Sequence, residues 1–164
     1  MSSRVAATLH DEHLATGSFI DRLEAMIAPA GGGRVYATDP AIAKLLLEST
    51  NMLGPELERH FDFEEHPLFE RLAEDGEDDV VAQLLAEHRA IRPIAARLVC
   101  IGADARAEGF TEASWSEYRA LAGELCALLH AHVEIEERML LPLIEEMLDA
   151  DADALLHAGY AGNV

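Results

Sequence analysis

Apolar residues recur along this chain at alternating steps of three and four, the spacing that gathers them on one face of an α-helix. From Ala6 the row runs through Leu9, His13, Thr16, Ile20, Leu23 and Ile27, which predicts a first helix from about Ser3 to Ile27, stopped by Pro29. A second row, Leu46, Leu53, Leu57, His60, Glu64 and Leu68, predicts a helix that starts at Pro40 behind an Asp39 cap, reaches about Glu74 and ends at Gly76. Within it, Gly54-Pro55 predicts a kink or break, because proline removes a backbone donor and crowds the carbonyl of Asn51. The third row holds Val81, Leu84, His88, Ile91, Ala95 and Leu98, from near Asp78 to Gly109, with a bend expected at Pro93. The fourth holds Tyr118, Leu121, Leu125, Leu129, His132, Glu136, Leu140 and Leu143, with Thr111 or Ser114 as its cap, about Leu148 as its end and Pro142 as its bend. Ser114-Trp115-Ser116-Glu117 reads as a capping box.

Four long helices with short connections pack most simply as an up-down-up-down antiparallel four-helix bundle, so the expected fold is all-α. The chain reads as one domain over residues 1–164, with the bundle at about 3–148 and the remainder, 149–164, as one short helix and a frayed tail. Ala30-Gly31-Gly32-Gly33-Arg34 is expected to be a flexible connection and not a phosphate loop, since no strand precedes it and no Lys-Ser/Thr follows. The halves resemble each other. Glu12-His13 through Arg22-Leu23 matches Glu87-His88 through Arg97-Leu98, and a His-x-x-x-Glu-Glu segment follows each at nearly the same offset.

Ionisable residues sit on all four apolar rows, where they are costly unless they are paired or bound. In His60-Phe61-Asp62-Phe63-Glu64-Glu65 and in His132-Val133-Glu134-Ile135-Glu136-Glu137, a His and a Glu four residues apart share one helix face, so each copy aims an imidazole and a carboxylate at one point. Height along the bundle agrees. His13 and His88 fall roughly 15 Å from the starts of helices one and three, while His60, Glu64, His132 and Glu136 fall roughly 16 to 22 Å from the ends of helices two and four, and in an antiparallel bundle those ends coincide. His13, His60, Glu64, His88, His132 and Glu136 are therefore the candidate metal ligands. Two imidazoles per metal with two bridging carboxylates leave an open position and form a mixed nitrogen and oxygen set suited to two iron ions, with manganese or zinc as substitutes.

The ligand row is similar to that of the hemerythrin HHE cation-binding family, over nearly the whole chain from about Leu9 to Leu148. His60-Phe-Asp-Phe-Glu64-Glu65-His-Pro-Leu68-Phe69 and His132-Val-Glu-Ile-Glu136-Glu137-Arg-Met-Leu140-Leu141-Pro142 resemble the family's paired signature, and Glu12-His13 and Glu87-His88 resemble its two single-His helices. The resemblance implies a non-heme di-iron site that meets oxygen, peroxide or nitric oxide, or senses iron. Arg92 stands where the oxygen-carrying members place an additional His, one turn after the single His of helix three, so the four-His, two-Glu set is more similar to the enzyme-like or sensor members. His10 is expected to be an alternative or outer ligand, Glu65 and Glu137 outer or surface partners in preference to bridges, and His66, His130 and His157 surface residues.

Composition narrows the rest. Half the residues are hydrophobic and few are aromatic, with scarce β-branched runs, which favours helix over sheet. Lys and Arg number 12 against 31 Asp and Glu, a formal charge of −19 that repels nucleic acid and anionic membrane and leaves a small-molecule oxidant as the expected partner. Cys100 and Cys126 are expected to be small buried residues kept reduced, and the N-terminus Met-Ser-Ser-Arg-Val lacks the apolar core of a signal peptide, so the cytoplasm is the expected compartment. Two functions fit: a di-iron protein that reacts with a small oxidant, or a module that stores or senses iron or a diatomic gas. Enzymatic activity stays open.

Overall fold

A computed structural model describes residues 3–28 and 34–162. The expected stop at Pro29 and the glycine-rich connection expected at 30–34, apart from Arg34, lie outside them, as do the last two residues of the tail. Among the described residues every regular element is helical. The first helix, α1, is Arg4–Ile27, and the second rod is α2 (Pro40–Asn51), α3 (Leu57–Phe63) and α4 (Phe69–Glu74), joined by π-turns at Met52–Glu56 and Glu64–Leu68. The third, α5, is Asp78–Glu108, and the fourth is α6 (Glu112–Ile135), a π-turn at Glu136–Leu140 and α7 (Leu141–Met147). A fifth helix, α8, is Ala150–Ala161. Each rod packs on its neighbours in a ring: α1 on α2 and α6, α2 on α5, and α5 on α6.

Local chemistry accounts for the boundaries. Ser3 and Asp39 accept the backbone N–H groups of Ala6 and Ala41, which helix starts otherwise leave unpaired. Gly54 leaves helical geometry at φ −111°, ψ −106°, so the rod breaks where Gly54-Pro55 predicts. Gly76 and Gly109 take φ 93° and 83° at the two tight turns, a region that costs other residues strain. One local expectation needs correction. The capping box forms between Thr111 and Ser114, because Thr111 leads into the helix and its hydroxyl accepts the Ser114 N–H, so Ser114 to Glu117 lie inside α6. Pro93 sits within α5.

The π-turns at Glu64–Leu68 and Glu136–Leu140 are absent from the sequence reading. In each, the carbonyl of the first Glu accepts the N–H five residues on, from Phe69 or Leu141. Proline accompanies both: Pro67 inside the first turn has no N–H for the carbonyl four residues back, and Pro142 lies just past the second. The inserted residue advances the apolar row: Ile144 is buried, and Leu143 only half-buried.

The core comes in two pieces with a polar layer between them. One apolar cluster holds Phe19, Leu23, Leu46, Phe61, Leu98, Tyr118 and Leu125, and the other holds Leu9, Phe63, Leu72, Leu84, Leu140 and Ile144. On every rod the candidate ligands fall between the two. Of the cysteines, Cys126 is buried as expected, but Cys100 is exposed because it lies beyond the edge of the α5 apolar row.

The short helix expected in the tail is α8, and it is docked at both ends. At its start Asp153 accepts the Ser3 hydroxyl and the N–H groups of Arg4 and Val5, at 3.0 and 3.1 Å for the two amides, and so caps α1 from outside. At its end Tyr160 is buried and stacks on Phe63, with ring centroids 4.1 Å apart.

Asp153→Ala should lower stability by about 1 kcal/mol, the usual cost of losing a helix cap. Burial alone would raise the Asp153 pKa, but the Ser3 hydroxyl and the two amides hold it below its ordinary 3.8. A depressed carboxylate stabilises above its unfolded pKa and loses that contribution as pH falls through the folded value. Denaturant melts at pH 7 and pH 3 should therefore show the gap between wild type and variant closing at the lower pH.

Candidate metal centre

The structure brings all six candidate ligands to one layer of the bundle. Glu64, Glu136 and His88 are fully buried, His132 and His13 nearly so, and His60 is the least enclosed at 12% exposure. Glu64 sends Oε1 toward His60 Nε2 and Oε2 toward His88 Nε2, each at 3.4 Å. Glu136 sends Oε2 toward His13 Nε2 at 2.9 Å and Oε1 toward His132 Nε2 at 3.0 Å. Each carboxylate thus turns one oxygen to each pair of imidazoles. His13, His60, Glu64 and Glu136 form one group able to hold a metal ion, and Glu64, His88, His132 and Glu136 form the other, with the ligand atoms in each within 4.8 Å of one another.

These contacts fit metal ligation and do not amount to hydrogen bonding. The Nε2 atoms of His13, His88 and His132 and both carboxylate oxygens of Glu64 and Glu136 are buried without a hydrogen-bond partner. A polar atom buried that way costs about 1 to 3 kcal/mol. Donors lying about 2.1 Å from one ion at right angles stand about 3 Å apart, close to the 2.9 and 3.0 Å seen around Glu136.

Electrostatics point the same way. Burial would raise Glu136, yet His132, His13 and His60 hold it well below the carboxylate range, whereas burial and the charge of Glu136 together push Glu64 up. Burial would lower the imidazoles, but Glu136 and Glu64 overcome it: His13, His60 and His88 are raised, and His132 is pushed up to about 9. The layer is a trap for positive charge.

Every inner imidazole is gripped from behind. His13 Nδ1 meets Glu137 at 2.6 Å, His60 meets Glu12 at 2.8 Å, His88 meets Glu65 at 2.8 Å and His132 meets Glu87 at 2.9 Å. Such a bond makes Nδ1 the donor and leaves Nε2 free to bind a metal. The pattern follows the repeat, because the doublets Glu12-His13 and Glu87-His88 exchange partners with His60 and His132 across the bundle. Adjacent helical residues diverge by about 100°, so a Glu cannot serve the His beside it and serves the next helix instead. Glu12 and Glu87 were visible in sequence as halves of those doublets, but their role is set by packing. Glu65 and Glu137 take the outer positions expected of them, and His10 touches Glu137 at 3.0 Å without reaching the layer. His66 and His130 are exposed, and His157 is half-buried, not on the surface, because α8 docks.

Arg92 points away from the inner layer. Its guanidinium donates to Glu65 at 2.6 Å and to Glu58 at 2.9 Å, and it lies 5.1 Å over the Phe61 ring. Burial would raise Glu65, but Arg92 and His88 hold it below the usual carboxylate range.

Access differs among the imidazoles. A cavity of about 80 Å³ is bounded by Thr16, Phe19, Leu53, Leu57 and Leu129 and reaches His13, His60, His132 and Glu136. His88 is instead covered by Phe61, stacked at 3.7 Å, and by Phe69 at 5.8 Å.

The pattern of the hemerythrin HHE cation binding domain matches residues 4–144, and no curated protein matches the chain. Among the described residues no helix is long and apolar enough to cross a membrane.

A layer built for cations should be a liability without them. Glu64→Met replaces a buried, unpartnered carboxyl by an apolar chain of similar length, so the metal-free protein should gain about 1 kcal/mol. Urea melts in chelator would show this, and a loss of stability in that variant would mean that Glu64 has a partner in the metal-free fold.

Proposed function

This chain belongs to the hemerythrin HHE cation-binding family, and we propose that it holds two iron ions and reacts with a small oxidant: oxygen, peroxide or nitric oxide. The observation that carries this reading is the double bridge, with Glu64 and Glu136 each offering one oxygen to His13 and His60 and the other to His88 and His132. Four imidazoles and two carboxylates are a donor set suited to iron or manganese more than to zinc. Iron bound there would supply one-electron redox chemistry at an open coordination position.

The protein's own part is to bind, orient and exclude. Glu12, Glu65, Glu87 and Glu137 fix the tautomer of each imidazole, and Phe61 and Phe69 close the His88 side. The apolar cavity beside His13 and His60 has room for a diatomic molecule or peroxide. Arg92, engaged with Glu58 and Glu65, adds no donor to either group, which supports a reactive role over reversible carriage. The exposed free thiol of Cys100 suits a reducing cytoplasm, and the charge of −19 argues against nucleic acid as a partner.

Metal analysis of protein from iron-replete cells should give about two irons per chain, because the six ligands divide evenly. Glu64→Ala or Glu136→Ala should strip both metals, whereas His13→Ala and His88→Ala should each weaken mainly one, with the helical circular dichroism retained. Optical spectra of the reduced protein mixed with oxygen, peroxide or nitric oxide then test reactivity. Inertness to all three with iron bound would favour storage or sensing, and protein that stays iron-free after anaerobic reconstitution would sink the proposal.

A further inference from the structure

The residues matched by the family pattern end at 144, yet one contact to the metal layer comes from beyond them. We infer that Tyr160, on α8, is a positioning residue for the His60 side of the centre, an inference that rests on the metal reading above. Its hydroxyl donates to Glu12 Oε2, the oxygen that His60 Nδ1 also meets, while Arg59 donates to Glu12 Oε1 at 2.7 Å. Both oxygens of Glu12 are thus engaged, the carboxylate cannot rotate, and the His60 ring is held with Nε2 toward Glu64 and Glu136.

His60 needs this more than the other three. His88 is clamped between Phe61 and Phe69, and His132 meets the edge of Phe61 at 5.5 Å. His60 has Phe61 at 6.0 Å and the edge of His13 at 5.5 Å, and it is the most exposed of the six, so packing encloses it least. The equivalent carboxylate in the other half, Glu87, is braced only by Gln83, one turn earlier on its own helix, at 3.1 Å. Tyr160 is itself placed firmly: Phe63 stacks on one side, the Arg59 guanidinium lies 4.5 Å from the ring centroid, and the Asp153 clasp anchors the start of α8. The fifth helix therefore makes the two halves of a repeated structure unlike.

Tyr160→Phe keeps the ring and removes only the hydroxyl. Metal-free wild type and variant, matched in helical circular dichroism, would be titrated with Co(II), following the ligand-field absorption, beside His60→Ala to identify the step that belongs to His60. Loss of an outer partner that touches a ligand weakens metal binding about 10- to 100-fold, and Tyr160 acts one contact further out, so the lower end, about 10-fold, applies. The expected result is a loss of that size, with an altered cobalt spectrum, in the His60 step alone. Two unchanged steps or two equally weakened steps would each overturn the inference. A wild type that takes up no Co(II) would instead overturn the metal reading.

Discussion

Two carboxylates in the middle of an apolar bundle are the constraint on which the rest of the structure depends. Glu64 and Glu136 are fully buried, and no hydrogen bond satisfies any of their oxygens. Such groups persist only if something compensates them, and with four imidazoles from four rods they form a donor set able to hold cations. The outer carboxylates follow from that, since each imidazole must present Nε2 inward and therefore needs an acceptor at Nδ1. The splitting of the core follows too. Apolar clusters on both sides of the layer keep the bundle intact, so the layer can be shaped for a ligand and not for stability.

The two halves of the layer repeat one plan, and the residues around it differ. The exchange of Glu12 and Glu87 between neighbouring helices, and of Glu65 and Glu137, relates one half of the layer to the other. The braces behind them differ: Arg59 and Tyr160 on Glu12, Arg92 on Glu65, Gln83 on Glu87 and His10 on Glu137. Access differs as well, with a cavity against His13, His60 and His132 and aromatic rings against His88. Two nearly equivalent donor sets thereby acquire different surroundings.

Much of this was legible in the residues. Helical periodicity located the four rods, because burial of one face selects apolar residues every three or four positions, and it located the inner ligands as the polar interruptions on those faces. Capping and proline chemistry marked Asp39, the break at Gly54 and the ends near Gly76 and Gly109, all local effects that need no tertiary partner.

What the tertiary structure alone decided depends on contacts between residues far apart in the chain. Sequence spacing rules out that Glu12 holds the adjacent His13, but it cannot say that Glu12 holds His60, since that follows from how neighbouring helices are rotated against each other. Nor does it show the π-turns at Glu64 and Glu136, whose extra residue is tolerated because packing fixes the rods on either side. The last helix is the sharpest case. Its weakly patterned residues read as a short helix with a frayed tail, and only docking against α1 reveals that Asp153 caps the first helix and that Tyr160 reaches Glu12 behind His60, 148 residues back along the chain.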